Sequence, residues 1–153
     1  MILLAAFLIG IVAGLRALTP LAAVSWAAHA RRLHVDGTWL AFLGYNWSPW
    51  IFSLLALGEL VNDKLPKTPS RKVPPQFGAR IVTGAIAGGA IGANANAIVT
   101  GLLLGGVGAV VGTLGGAAFR GRMARSFGRD LPAALIEDGI AVLGAILLVT
   151  LLG

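Results

Sequence analysis

The chain has no cysteine, which excludes disulfides, thiolate metal sites and a cysteine nucleophile. It has two histidines, His29 and His34, whose spacing of five keeps them off a common helical face, so a zinc pair is not expected. Charge is scarce: only 12% of the 153 residues are Asp, Glu, Lys or Arg, where soluble domains carry roughly a quarter. A deficit of that size leaves too little polar surface to face water. With 57% hydrophobic residues and a mean hydropathy of +0.86, the composition predicts a single-domain integral membrane protein. The scarcest group is acid, six carboxylates in all. Three of them, Glu59 and the pair Glu137–Asp138, fall inside apolar runs, where a carboxylate is costly and points to a functional site.

A bilayer core of ~30 Å needs about 20 apolar residues per helical crossing. Five segments qualify: residues 2–30, 49–65, 78–93, 97–119 and 131–152. The expected fold is therefore an all-α polytopic bundle of about five spans. Ser48 and Pro49 start the second segment and Asp130 caps the fifth. Residues 31–47 gather Trp39, Trp47 and Tyr45, between Trp26 and Trp50, and read as an interfacial loop or short surface helix. Asn46-Trp47-Ser48 is a glycosylation sequon of consequence only in a eukaryotic secretory pathway. The N-terminus has no basic leader region, so the first segment reads as retained.

The net charge of +6 is spread over short connections, a pattern of topology and anionic-headgroup contact rather than nucleic-acid binding. Lys64, Lys67, Arg71, Lys72, Arg80, Arg120, Arg122, Arg125 and Arg129 fall on one side of a five-span plan, against Arg31 and Arg32 on the other. This bias predicts a cytoplasmic N-terminus and an outward C-terminus, if the first segment crosses once rather than dipping back.

The first segment is interrupted at Gly14-Leu15-Arg16-Ala17-Leu18-Thr19-Pro20 and the fourth at Gly112-Thr113-Leu114-Gly115-Gly116. Proline breaks a helix but suits its first turn, and threonine is a good cap, so a helix restarts at Pro20. Its N-terminal dipole, with Arg16 one turn earlier, offers a centre for an anionic group. The plain alternative is a kink with Arg16 paired to a carboxylate. Ala56-Leu57-Gly58-Glu59 echoes Ala134-Leu135-Ile136-Glu137, which suggests an inverted repeat around the third helix, although aligning Pro49 with Pro132 leaves the glutamates out of register. Gly84, Gly88 and Gly92, then Gly101 and Gly105, then Gly108, Gly112 and Gly116 form glycine ladders. They read as packing faces, as sliding surfaces, or as an invitation to a homo-oligomer. Asn94 and Asn96 occupy a tight turn.

The candidate substrate-binding set is Arg16, Thr19, Glu59, Asp63, Glu137 and Asp138, with Asp63 expected nearer solvent. Buried carboxylates suit proton or cation coupling. Lys64, Lys67, Arg71 and Lys72 lie in a proline-stiffened basic connection suited to headgroups or anions. No nucleophile–base pair, metal-ligand set or cofactor motif is visible, so an enzyme is not expected.

The stretch Gly14–Pro20, Ala56-Leu57-Gly58-Glu59-Leu60 with Asp63-Lys64-Leu65-Pro66-Lys67-Thr68-Pro69-Ser70-Arg71, and Leu131-Pro132 before Glu137-Asp138 together resemble a bacterial family. It is a set of small integral membrane proteins known as a domain of unknown function, number forty-one twenty-six, and the likeness covers nearly the whole chain. The resemblance implies a multi-pass bacterial inner-membrane protein and directs attention to Arg16, Glu59, Asp63, Arg71, Glu137 and Asp138. It implies no activity. The expected function is a small transporter or channel-like protein, proton- or cation-coupled, for an unknown small ion or metabolite. The alternatives are an anionic-lipid binding or translocating protein and a non-transporting structural subunit.

Overall fold

The computed structural model describes residues 1–152, and among them every regular element is helical. Six α-helices are α1 (Ile2–Leu15), α2 (Thr19–His29), α3 (Ser48–Asn62), α4 (Pro74–Ala93), α5 (Ile98–Phe127) and α6 (Asp130–Leu151). A 3-10 helix, Trp39–Gly44, lies between α2 and α3. Prolines open α2, α3 and α4, where a missing N–H costs nothing. Gly128, at φ 67°, ends α5 in the left-handed conformation. Two helices, α5 and α6, are long and apolar enough to cross a membrane, and α1 is a shorter apolar helix.

The centre of the bundle is a three-helix seam built on glycine. An added Cβ at Gly105 would lie 2.1 Å from the Gly84 carbonyl oxygen, and one at Gly88 would lie 2.4 Å from that of Gly101. The other edge of α5 meets α1: Cβ atoms at Gly108 and Gly112 would each lie 2.2 Å from the carbonyl oxygens of Phe7 and Ile11. The backbones of α4, α5 and α1 therefore touch directly, which only residues without side chains permit. This corrects two expectations. The ladders are consumed inside one chain, so they offer no face to a second copy. The fourth segment is also uninterrupted: α5 runs straight through Gly112–Gly116. Packing against α1 supplies what glycine's poor helix propensity withholds, and Thr113 bonds back to Ala109 O at 2.8 Å. With α1 and α2 broken and α5 whole, the proposed halves of an inverted repeat do not match.

The first segment doubles back instead of crossing once. Phe7, Ile11 and Leu15 meet Gly108, Gly112 and Gly116 in rising order, so α1 runs parallel to α5. On the far side of the break α2 runs the other way. Thr19 and Ala22 share a pocket with Val142, and Ala30 shares one with Val149 and Thr150, so α2 is parallel to α6. Arg16 meets Asp138 and Val12 meets Gly144, so α1 is antiparallel to α6. Hence α1 and α2 form a helical hairpin whose tip points toward the basic connections. The start of α1 and the end of α6 lie together at the opposite end of the bundle. The start of α1 therefore lies at the end away from the basic connections, not beside them as the five-span plan placed it.

At that opposite end the connection from α2 to α3 folds inward. Leu33, Val35, Leu40 and Leu43 are buried, while Trp39, Trp47 and Trp50 stay exposed. Asn94 holds the connection to the α4–α5 turn through His34 N (2.7 Å) and Arg32 O (3.3 Å). Asn96, at φ 52°, makes the turn itself, as its position suggested.

Candidate functional site: the tip of the helical hairpin

At Arg16 the backbone is extended (φ −142°, ψ 114°), and α2 begins only at Thr19. Such a break exposes carbonyls at one helix end and amides at the other, and buried backbone groups need partners. Two side chains of opposite charge supply them. Arg80 Nη1, from α4, donates to Gly14 O at 3.0 Å and Leu15 O at 2.8 Å. The Glu59 carboxylate, from α3, accepts from Ala17 N and Leu18 N, both at 2.8 Å. Each charge sits at the helix end whose dipole favours it. The two caps lie 3.7 Å apart, Arg80 Nη2 to Glu59 Oε1.

The positive start of α2 is thus occupied by the chain's own anion. Glu59 takes the place foreseen for an external ligand. Its loss by Glu59→Ala is expected to lower stability by roughly 3 kcal/mol or more, since two hydrogen bonds to a charged group are worth about 1.5–3 kcal/mol each. Glu59→Gln, which keeps one acceptor, should fall between. Denaturant titration of the detergent-solubilised protein measures both.

Arg16 turns into the bundle and is completely buried. Its Nε donates to Asp138 Oδ1 at 2.6 Å. Its Nη2 lies 2.5 Å from Asp138, 2.9 Å from Asp63 and 4.0 Å from Glu137, aligned for a directed hydrogen bond with none of them. Glu137 and Asp138 are adjacent, so their side chains leave α6 about 100° apart and serve two sides. Asp138 faces Arg16 and also binds Lys64. Glu137 faces away, in a two-pronged pair with Arg71, the second prong 2.8 Å. Arg120 from α5 joins Asp63 at 2.6 Å and Asp130 at 2.5 Å, and comes within 3.7 Å of Glu137.

Eight groups therefore form one network, Arg16, Lys64, Arg71 and Arg120 against Asp63, Asp130, Glu137 and Asp138, and Arg80 with Glu59 forms a separate pair beside it. The charges balance in both, and together they use five of the chain's six carboxylates. Of the expected site residues, Arg16, Asp63, Glu137 and Asp138 come together in the network, and Glu59 stands beside it as the cap on Ala17 and Leu18. Asp63, expected in solvent, has a side chain only 15% exposed. Its place at the end of α3 puts it against Arg16. Lys64 and Arg71, expected at headgroups, are instead in the network, whereas Lys67 and Lys72 stay exposed. Thr19 is buried beside the tip, but its hydroxyl bonds to none of these groups.

Arg80 and Arg120 were legible only as topology signals. Starting α4 at Gly78 instead of Pro74 leaves Arg80 at the helix edge; the true start carries it more than a turn inside. Arg120 seemed to lie past the end of a helix that in fact continues to Phe127. Beside the network, at the basic end, opens a vestibule of about 460 Å³ lined by Asp63, Lys64, Arg71, Arg120 and Asp130 with the proline-rich connection. Compared with protein families, curated proteins and solved structures, the chain matches none.

Proposed function

We propose that the chain is a small integral membrane protein in which α3–α6 cross the bilayer and the α1–α2 hairpin enters it from the opposite face. It works as a proton-coupled carrier of a small anion. The carrying observation is the hairpin tip itself: an unwound backbone capped by opposite charges and set among paired ions beneath an open vestibule. Broken helices of this kind are a recurrent way of building transport sites, because irregular backbone is tolerated at membrane depth only where protein or an aqueous cavity satisfies it. Asp138 lies about 12 Å from the start of α6 at ~1.5 Å per residue, a depth of roughly two-fifths of a ~30 Å core. The excess of Lys and Arg at the vestibule end supports a cytoplasmic position for that end. Both termini of the bundle then face outward. With the likeness to the bacterial family described above, this is an inner-membrane orientation.

The anion-recognising arginine is reassigned. Arg16 is held by carboxylates, but Arg71 and Arg120 line the vestibule and also hold Glu137. An anion arriving there competes with Glu137 for Arg71. A displaced, buried carboxylate is poorly solvated and takes up a proton, which restores the balance of charge. One proton accompanies each anion, so a monoanion moves without net charge and a dianion carries one negative charge with it. Liposomes holding a pH-sensitive dye test this with imposed gradients of inorganic phosphate, sulfate or succinate. Wild type should acidify the lumen with at least one of them, and Glu137→Gln should fall to the background of empty liposomes while Asp36→Asn does not. Proton movement that survives in folded Glu137→Gln would remove the coupling role.

A second reading, a structural subunit with no flux, draws support from the five-to-five charge balance. Under it none of the three anions moves protons in wild type, and substitutions in the network change stability alone.

A further inference from the structure

Thr19 carries the one buried hydroxyl without a hydrogen-bond partner among the described residues. It is 93% buried by residue and sits in the first turn of α2, yet Glu59 satisfies the amides of Ala17 and Leu18 rather than the Thr19 side chain. Thr19 lines a separate pocket of about 290 Å³, which shares no residue with the vestibule. The remaining walls are Ala22, Ala23 and Trp26 of α2, Ser53, Ala56, Leu57 and Leu60 of α3, and Val142, Ala145 and Ile146 of α6. Four alanines make it a slot. No charged side chain lines it.

Two hydroxyls interrupt the hydrocarbon. Ser53 Oγ accepts from Trp26 Nε1 at 3.0 Å, which leaves its own proton free to donate. The Thr19 hydroxyl has both its proton and its lone pairs free. The rim residues Leu57, Ile146 and Trp26 are exposed, so the slot opens sideways between α3 and α6. It does not open toward the basic end.

We propose that this slot binds a neutral, membrane-dissolved molecule with an apolar chain and one oxygen function, its hydroxyl or carbonyl oxygen hydrogen-bonded to Thr19. An apolar wall without charge excludes ions, and an unpaired buried hydroxyl makes the apolar-only ligand inferior to one that completes it. Sideways access selects a ligand that partitions into hydrocarbon. The inference rests on the membrane reading above but not on transport. Binding next to the hairpin tip places the ligand against α2, the helix whose start Glu59 caps.

Trp26 is a built-in reporter. A variant retaining only this tryptophan (Trp39, Trp47 and Trp50 replaced by Phe) is placed in lipid nanodiscs and titrated with a dibrominated eighteen-carbon alcohol. The alkane with the same bromines and the corresponding carboxylate serve as comparisons. Quenching by the alcohol should saturate, with half-saturation at least several-fold lower than for the alkane. Thr19→Val, which keeps shape and removes the hydroxyl, should erase that difference, and Ala145→Leu should abolish saturation by filling the slot. Thermal unfolding of both variants controls for misfolding. Quenching that rises linearly for all three compounds, or equally in Thr19→Val, overturns the proposal, as does tighter binding of the carboxylate. Flotation of the same protein with vesicles reports membrane insertion separately. A protein that fails to float refutes the membrane reading. One that floats but shows no saturable quenching refutes only the ligand site.

Discussion

Arg16→Met is expected to destabilise the protein by about 3–5 kcal/mol, the usual cost of leaving buried charge without its partner. Arg16 lies within 2.9 Å of both Asp138 and Asp63 and 4.0 Å from Glu137, so its removal leaves three largely buried carboxylates facing one another. Lys64, Arg71 and Arg120 still hold one carboxylate each, but none reaches the position between them. The double variant Arg16→Met with Asp138→Asn should recover a good part of the loss, because it removes the anion most closely bound to the missing cation. The two single changes and the double form a cycle whose coupling, read from denaturant midpoints in detergent, should be well above the few tenths of a kcal/mol seen for independent sites. Additive effects would mean that Arg16 and Asp138 do not act as a pair. In the wild type, burial pushes the Asp63 carboxyl up but Arg16 and Arg120 outweigh it and hold it below the usual carboxylate range, so the stability it contributes is lost as pH falls.

Much of this site was legible in the sequence because lipid makes charge conspicuous. Arg16, Glu59, Glu137 and Asp138 stand out by occurring where apolar residues are expected; Arg16, Glu137 and Asp138 do meet, and Glu59 caps the backbone beside them. The partners of these residues did not stand out. Arg80 and Arg120 fall at the ends of apolar runs, where arginine has an ordinary explanation, and they join the site only because α4 starts earlier and α5 ends later than hydropathy alone marks, whereas Arg71 reads in the sequence as a headgroup or anion contact and turns inward to Glu137 instead. Proline supplied the break before Pro20 but not its consequence. A kinked single span and a hairpin have the same local sequence. What separates them is contact between distant segments: Gly10 and Gly14 of α1 interlocking with α5 in parallel, while α2 lies on α3 and α6. The misplacement of the N-terminus beside the basic connections follows from that one choice. The interruption expected at Gly112–Gly116 failed for a related reason. Glycine weakens an isolated helix, and here the same glycines admit α1 so closely that packing holds the helix straight.

Gly105→Ala should have the largest effect of any single-methyl change in the protein. The new Cβ would lie 2.1 Å from Gly84 O and 2.9 Å from its carbonyl carbon, with the Gly88 Cα at 3.0 Å. All three are backbone atoms, so no rotamer change relieves the clash and α4 must move away from α5. Overpacking of a tight core typically costs 1–3 kcal/mol and at times more, and a rigid backbone contact belongs at the upper end, about 3 kcal/mol. Displacement of α4 also carries Arg80 away from Gly14 O and Leu15 O, which uncaps the hairpin. Gly105→Ala should therefore lose stability and, if the carrier reading holds, loosen the tip, seen as faster hydrogen exchange at the Ala17 and Leu18 amides. Gly121→Ala, where an added methyl meets nothing within 4 Å, is the matched control and should be neutral or slightly stabilising through better helix propensity. Equal behaviour of the two variants in thermal unfolding would show that α4 and α5 are not packed backbone to backbone, and would remove the scaffold on which the charge network rests.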